Sequence, residues 1–190
     1  MNSDSYYGYH ARVVPDKPIA ITGFPGARVQ LVGASLTALT GLGLRELDHV
    51  MEHQIGQSVA AYVLAHGERA LRQLETSALE RVLQARPAGI VVLGEGTLLA
   101  RKNRKLVATH AQLVYVELGI FELYGRVREE MTAFPGRYFH LIPQIPDRPH
   151  DLRALFRSRE PGYKEAVLTI DAAQKHPTQT AREIIAQLSL

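Results

Sequence analysis

Ile19-Ala20-Ile21-Thr22-Gly23-Phe24-Pro25-Gly26-Ala27-Arg28-Val29-Gln30 is the stretch that decides the fold. Ile19 to Gly23 is a short apolar strand, and from Val29 to Leu39 apolar residues return at helical spacing until the glycine stop at Thr40-Gly41. Strand, glycine-bearing loop and helix in that order is the setting of a phosphate-binding loop, G-x-x-x-x-G-K-[ST]. In a working loop glycine lets backbone N–H groups approach the phosphates, lysine bridges the β and γ phosphates, and a hydroxyl holds magnesium. Gly23, the first glycine, is in place and Gly26 lies within the loop, but Arg28 stands for the second glycine, Val29 for the lysine and Gln30 for the hydroxyl. The β-carbon of Arg28 disfavours a left-handed backbone there and crowds the approach of a phosphate. Its positive charge leaves some anion binding open, whereas Val29 offers only an apolar group.

Around this loop the chain reads as one domain. At 190 residues and 46% hydrophobic content it can bury its own core. The expected division is an N-terminal extension over 1–18, polar and tyrosine-rich, and a single domain over 19–190. The absence of cysteine excludes disulfides, thiolate metal sites and a cysteine nucleophile. No apolar run is long enough to span a bilayer and the N-terminus lacks the apolar core of a secretory signal, so a cytoplasmic protein without a membrane partner is expected. The cluster Arg101-Lys102-Asn103-Arg104-Lys105 is the one feature that invites nucleic acid. Without interleaved aromatics or a DNA-binding motif it reads as a solvated helix face. The histidines form no HExxH pattern, and no protein-held metal site is expected.

A second helix opens at Asp48 and breaks at Gly56, Ser58 caps Val59 to Leu64, and Glu68 to Gln84 repeats apolar residues near the helical period. Gly89 to Gly94 is a continuous apolar run ending in glycine, the mark of a strand buried on both faces. Leu113 to Val116 and Ala166 to Ile170 repeat that pattern, and Thr178 to Leu188 closes the chain as an amphipathic helix. Strands alternating with helices imply a parallel sheet covered on both sides. The tract from Thr132 to Pro149, rich in proline, glycine and aromatics, is long for a plain connection and reads as a lid or binding loop within a lid region of about 128–150.

The order of these motifs resembles the shikimate kinase family of P-loop folds, from about Ile19 to Leu188. After the loop and its helix that family has an Asp-Thr-Asp element, then Ile-Glu and a glycine; this chain has Glu46-Leu47-Asp48, Met51-Glu52 and Gly56-Gln57-Ser58. The family's Gly-Glu-x-x-Phe-Arg-x-x-Glu is Gly67-Glu68-Arg69-Ala70-Leu71-Arg72-Gln73-Leu74-Glu75, with only the phenylalanine changed. Its three glycines become Gly94-Glu95-Gly96, followed by Asn103-Arg104, and its Arg-x-Pro-Leu-Tyr becomes Arg159-Glu160-Pro161-Gly162-Tyr163 ahead of a strand and Asp171. The resemblance implies an α/β fold in three layers, with a parallel sheet of about five strands flanked by helices.

It also implies a site. The family's counterpart of Asp48 accepts hydrogen bonds from ring hydroxyls of shikimate, and the counterparts of Arg72 and Arg159 bind its carboxylate, a job suited to the planar guanidinium fork. Glu75, one helical turn after Arg72, is placed to orient that guanidinium, and Gly94 and Gly96 lie beneath the ring. Glu46 is the one candidate to hold a magnesium-bound water. The family's lid run Arg-Pro-Leu-Leu is absent, which leaves Arg137 and Arg148 as lid candidates. Glu95 puts a carboxylate where shikimate would sit, so it either pairs with Arg72 or Arg159 or acts, with Asp48, as a new catalytic acid or base.

Three functions follow. The first is a pseudoenzyme or sensor that binds shikimate or a related hydroxylated cyclic carboxylate, needs no cofactor, and meets a separate protein partner if it regulates. The second is an enzyme with elimination or isomerisation chemistry in the old pocket. The third is residual shikimate kinase activity, the one case that calls for ATP and magnesium.

Overall fold

The computed structural model describes residues 14–134, 138, 141–142 and 144–190. Five strands form one parallel sheet in the order β2-β3-β1-β4-β5: β1 (Ile19–Gly23), β2 (Leu44–Glu46), β3 (Ile90–Val92), β4 (Gln112–Glu117) and β5 (Leu168–Asp171). β1 lies at the centre, with Ile19 opposite Ile90 on one side and Gln112 on the other. Because side chains alternate along a strand, Ile19, Ile21, Ile90, Val92, Val114 and Val116 point into one core. Ala20, Val91, Leu93 and Leu113 point into the other.

Helices cover both cores. α1 (Val29–Thr40), α5 (Ile120–Ala133) and α7 (Pro177–Leu188) send Val32, Leu36, Leu123, Val127, Ala181 and Ile184 into the first. α2 (Leu47–Ile55), α3 (Val59–Gln84) and α4 (Arg101–His110) send Met51, Leu71, Leu79 and Val107 into the second. α6 (Arg153–Tyr163) precedes β5. The result is the three-layer α/β/α fold expected from the sequence.

Two features aim the site. β1 leads to α1 on one face, while β3 leads through a 3-10 turn (Thr97–Leu99) to α4 on the other. The loops after β1 and β3 therefore diverge and open a crevice at the carboxyl ends of the strands, where open α/β sheets place their ligands. α3 is kinked at Gly67, whose φ of 79° and ψ of 167° break the helix. This is the boundary that the sequence places between Leu64 and Glu68.

Several elements depart from the sequence reading. The second helix starts one residue earlier, at Leu47, with Asp48 in its first turn. β3 is shorter than Gly89 to Gly94, and the last strand is shifted to Leu168–Asp171. β2, α5 and α6 carry no pattern that marked them. Leu44-Arg45-Glu46 is a three-residue edge strand without an apolar run, and α6 contains Pro161, a residue whose missing N–H and ring argue against a helix interior. The tract from Thr132 to Pro149 begins inside α5 and ends in a 3-10 turn (Pro149–Leu152). No helix among the described residues is long and apolar enough to cross a membrane.

Candidate functional site

The loop after β1 is tightly folded. A β-carbon on Gly23 would stand 2.8 Å from both Ala27 Cβ and Val29 Cγ1, and Gly26 has φ of +88°. Val29 is buried, and so is Phe24, whose ring lies 5.4 Å from that of Phe156. Arg28 adopts the left-handed conformation that its β-carbon disfavours, with φ of 54°. The cost, roughly 1–2 kcal/mol, is set against two ion pairs: Nε donates to Glu130 Oε1 at 2.9 Å and Nη2 to Glu129 Oε2 at 3.1 Å. The pairing with Glu130 is the main reason its basicity is raised. Glu130 is itself buried and also accepts the Tyr138 hydroxyl, whose oxygen in turn accepts the Gly26 backbone N–H at 3.3 Å. Arg28, Glu130, Tyr138 and the loop backbone thus form one closed network.

On the other side of the crevice the loop Gly94-Glu95-Gly96 gathers side chains from four elements. A β-carbon on Gly94 would lie 2.8 Å from Asp48 Oδ1, 3.2 Å from Thr97 Oγ1 and 3.3 Å from Glu75 Oε1. One on Gly96 would lie 2.5 Å from Arg72 Nη1. Only glycine lets the Asp48 carboxylate and the Arg72 guanidinium rest on the backbone. Glu75, 2% exposed, binds Arg72 Nη1 at 2.7 Å through Oε2 and accepts the Thr97 hydroxyl at 2.7 Å through Oε1. Arg72 Nη2 also reaches Glu68 at 3.1 Å. Burial works against the Arg72 charge, but Glu75 and Glu68 outweigh it and raise its basicity.

Arg159, on α6, is 4% exposed. Its Nε donates to the Glu95 carbonyl at 2.9 Å and its Nη1 to the Leu155 carbonyl and Ser158 Oγ, both at 3.1 Å. Among the described residues no carboxylate lies within ion-pair distance of it, and burial lowers its pKa from the ordinary arginine value. Asp48 is shifted the other way. It retains some contact with the crevice but is surrounded mostly by protein, and this burial, reinforced by the charges of Glu75, Glu52 and Glu46, pushes its pKa up to about 6.

A cleft of about 380 Å³ joins the two sides, lined by Gln30 from the loop, by Glu46, Asp48 and Glu52, by Glu95 and by Tyr138. It is acidic, and neither Arg72 nor Arg159 lines it. Arg148, mostly exposed, faces Asp151 at 3.7 Å, and Arg137 lies outside the described residues. Glu46 stands at the end of β2 with His49 Nδ1 3.7 Å from its carboxylate. Among the described residues no group of three or more His, Asp or Glu side chains is arranged to hold a metal ion.

The comparisons with known proteins agree with this geometry. A family profile described as shikimate kinase matches residues 29–189. The chain belongs to the shikimate kinase family. It is 33% identical over 172 residues to a shikimate kinase of Frankia casuarinae, covering 90% of this chain and 72% of that one. To a shikimate kinase of Streptococcus suis it is 30% identical over 171 residues, covering 88% and 98%. Its fold is that of the shikimate kinase from Acinetobacter baumannii solved in complex with shikimate, with a TM-score of 0.80 at 23% identity over 91% of this chain and 93% of that one. A gluconokinase from Sinorhizobium meliloti shares the fold more distantly, with a TM-score of 0.59 at 18% identity over 90% of this chain and 91% of that one.

Within this shikimate kinase fold Thr97 and Thr76 escaped the sequence reading, and Asn103 entered it only as a motif match without a role. Thr97 anchors Glu75; Asn103, fully buried, donates to the Thr97 carbonyl at 3.0 Å and accepts the Thr76 hydroxyl at 2.8 Å. The basic cluster at 101–105 is therefore no uniform solvated face. Asn103 turns inward, Lys102 pairs with Glu80, and Arg104 binds Glu165 and the carbonyls of Leu98 and Leu99. Tyr163 is a packing residue, stacked 4.4 Å from Tyr115.

Proposed function

We propose that this chain binds shikimate, or a related hydroxylated cyclic carboxylate, over Gly94 and Gly96, and that it does so in the cytoplasm without transferring a phosphoryl group. The observation that carries the binding is Arg159, a buried guanidinium with no carboxylate partner among the described residues. An unpaired buried charge is costly, and a ligand carboxylate held between Arg159 and Arg72 would compensate it. Glu75 fixes Arg72 for that role, and Asp48 is the acceptor for ring hydroxyls. The Acinetobacter relative, solved with shikimate, supports the choice of ligand.

The residues at the loop do not fit a nucleoside triphosphate and its magnesium. Val29 is buried where a lysine is needed, Arg28 is spent on Glu129 and Glu130, and the Gly26 N–H is directed at the Tyr138 hydroxyl. Phosphoryl transfer rests almost wholly on positioned charge, and this arrangement supplies little of it. Residual kinase activity with Arg28 in place of the lysine is disfavoured for the same reason. No cofactor is required by the binding role.

A second reading is favoured by one observation. Asp48, with its pKa raised to about 6, shares an acidic cleft with Glu95, and a carboxyl that titrates near neutrality is suited to general acid or base work on the bound ring.

A thermal-shift experiment separates these readings, because a ligand that binds only the folded state raises Tm. Shikimate is expected to raise Tm and MgATP to leave it unchanged. No shift with shikimate or any other cyclic carboxylate would overturn the proposal. Turnover of the ring compound that is lost in Glu95→Gln or Asp48→Asn would establish the second reading.

A further inference from the structure

A groove of about 770 Å³ lies across α2 from the Asp48 cleft, between β2 and the C-terminal end of α3. Asp48 and Glu52 face the cleft, whereas Val50, His53 and Gln54 face the groove. Its apolar lining includes Val50 and Val82, and Arg45, Arg81, His49 and His53 surround them.

Two arginines of this groove, Arg45 and Arg81, hold no carboxylate among the described residues. Arg28, Arg72, Arg104 and Arg126 each hold a carboxylate. Arg45 makes no hydrogen bond or ion pair with any described residue. Its guanidinium is seated instead against bare backbone, with Nη1 3.2 Å from where a β-carbon of Gly89 would stand. Arg81 bonds only the side-chain oxygen of Gln54, a neutral amide. Glu46, the one carboxylate lining the groove, sits beside His49.

Two guanidiniums without an acid, an apolar wall and a volume within the roughly 300–1,000 Å³ of small-molecule sites define a ligand class. We propose that this groove binds a small organic anion with a flat apolar body, its carboxylate paired with Arg45 and Arg81 and its ring laid on Val50 and Val82. The planar fork of arginine suits a carboxylate, and the apolar wall gives a ring surface to cover. The proposal concerns a second site and does not rest on the reading of the Asp48 pocket.

Titration of the full chain with 1-naphthoate, followed by amide chemical shifts, tests it. Saturable shifts are expected at Val50, His53 and Val82. The uncharged match 1-naphthamide should bind at least about tenfold more weakly, and Arg45→Gln with Arg81→Gln should weaken naphthoate by a similar factor at unchanged Tm. Each single substitution provides the same readout if the pair fails to fold. Equal affinity for the amide, indifference to the substitutions, shifts confined to Asp48 and Gly94, or no saturable shift at millimolar naphthoate would each overturn the proposal. So would shifts in the groove produced by a glutamate-rich peptide and not by naphthoate.

Discussion

Asp48 and Glu75 both set a carboxylate against Gly94, yet they do opposite work. Glu75 is fully engaged, holding Arg72 and Thr97 at once. Its replacement by alanine strands a guanidinium that is only 19% exposed, so a loss of about 3 kcal/mol in urea unfolding is expected, the lower end for a broken buried pair. Asp48 instead pays for its position. Its folded pKa of about 6 lies above the ordinary 3.8, so the folded state holds the proton more tightly than the unfolded chain. The stability this group contributes is fully present below about pH 4 and is lost as pH rises through 6. Two units correspond to at most about 3 kcal/mol. Asp48→Asn should therefore stabilise the apo protein above pH 7 and give no gain at pH 4, as measured by unfolding at the two pH values. Equal effects at both would contradict the shift. At the loop, Tyr138→Phe removes the acceptor of the Gly26 N–H and one donor to Glu130, and a loss of about 1–3 kcal/mol is expected in the same measurement.

The elements differ in how plainly the sequence announces them. β1, its loop and α1 are legible because an apolar run, glycine and helical spacing follow in order, and β3 and β4 because both faces of a central strand are apolar. β2 is not, since Leu44-Arg45-Glu46 is an edge strand with mixed exposure. Of the site, Asp48, Arg72, Glu75 and the glycines carry local motifs. Glu130 and Tyr138 do not, because their loop partners, Arg28 for Glu130 and the Gly26 N–H for Tyr138, are about a hundred residues away in sequence and only tertiary packing brings them together. The β-carbon of Arg28 disfavours the left-handed conformation, yet Arg28 adopts it, because distant carboxylates that no local pattern reveals are set against the local cost. At Gly67 no such compensation is available. Nothing lies within 4 Å of an added β-carbon there, so any cost is backbone alone, and φ of 79° with ψ of 167° is accessible to glycine and little else. Gly67→Ala should cost about 1–3 kcal/mol in urea unfolding, and it should shift Arg72 by altering the angle at which the second half of α3 leaves the kink.

Over the whole molecule, the sheet order places two loops at one crevice, and the chain treats them differently. The loop after β3 remains an open platform of backbone on which Arg72, Arg159 and Asp48 converge. The loop after β1 is closed by Val29, by the Arg28 pairs and by the Tyr138 hydroxyl. The proposed function is that of a shikimate kinase fold that keeps its acceptor side and has lost its nucleotide side. Calorimetric titration of shikimate, alone and with MgATP present, tests both halves at once. The expected result is saturable binding with one Kd in both conditions and no heat of turnover. Sustained turnover heat that requires MgATP, or no binding of shikimate in either condition, would contradict it.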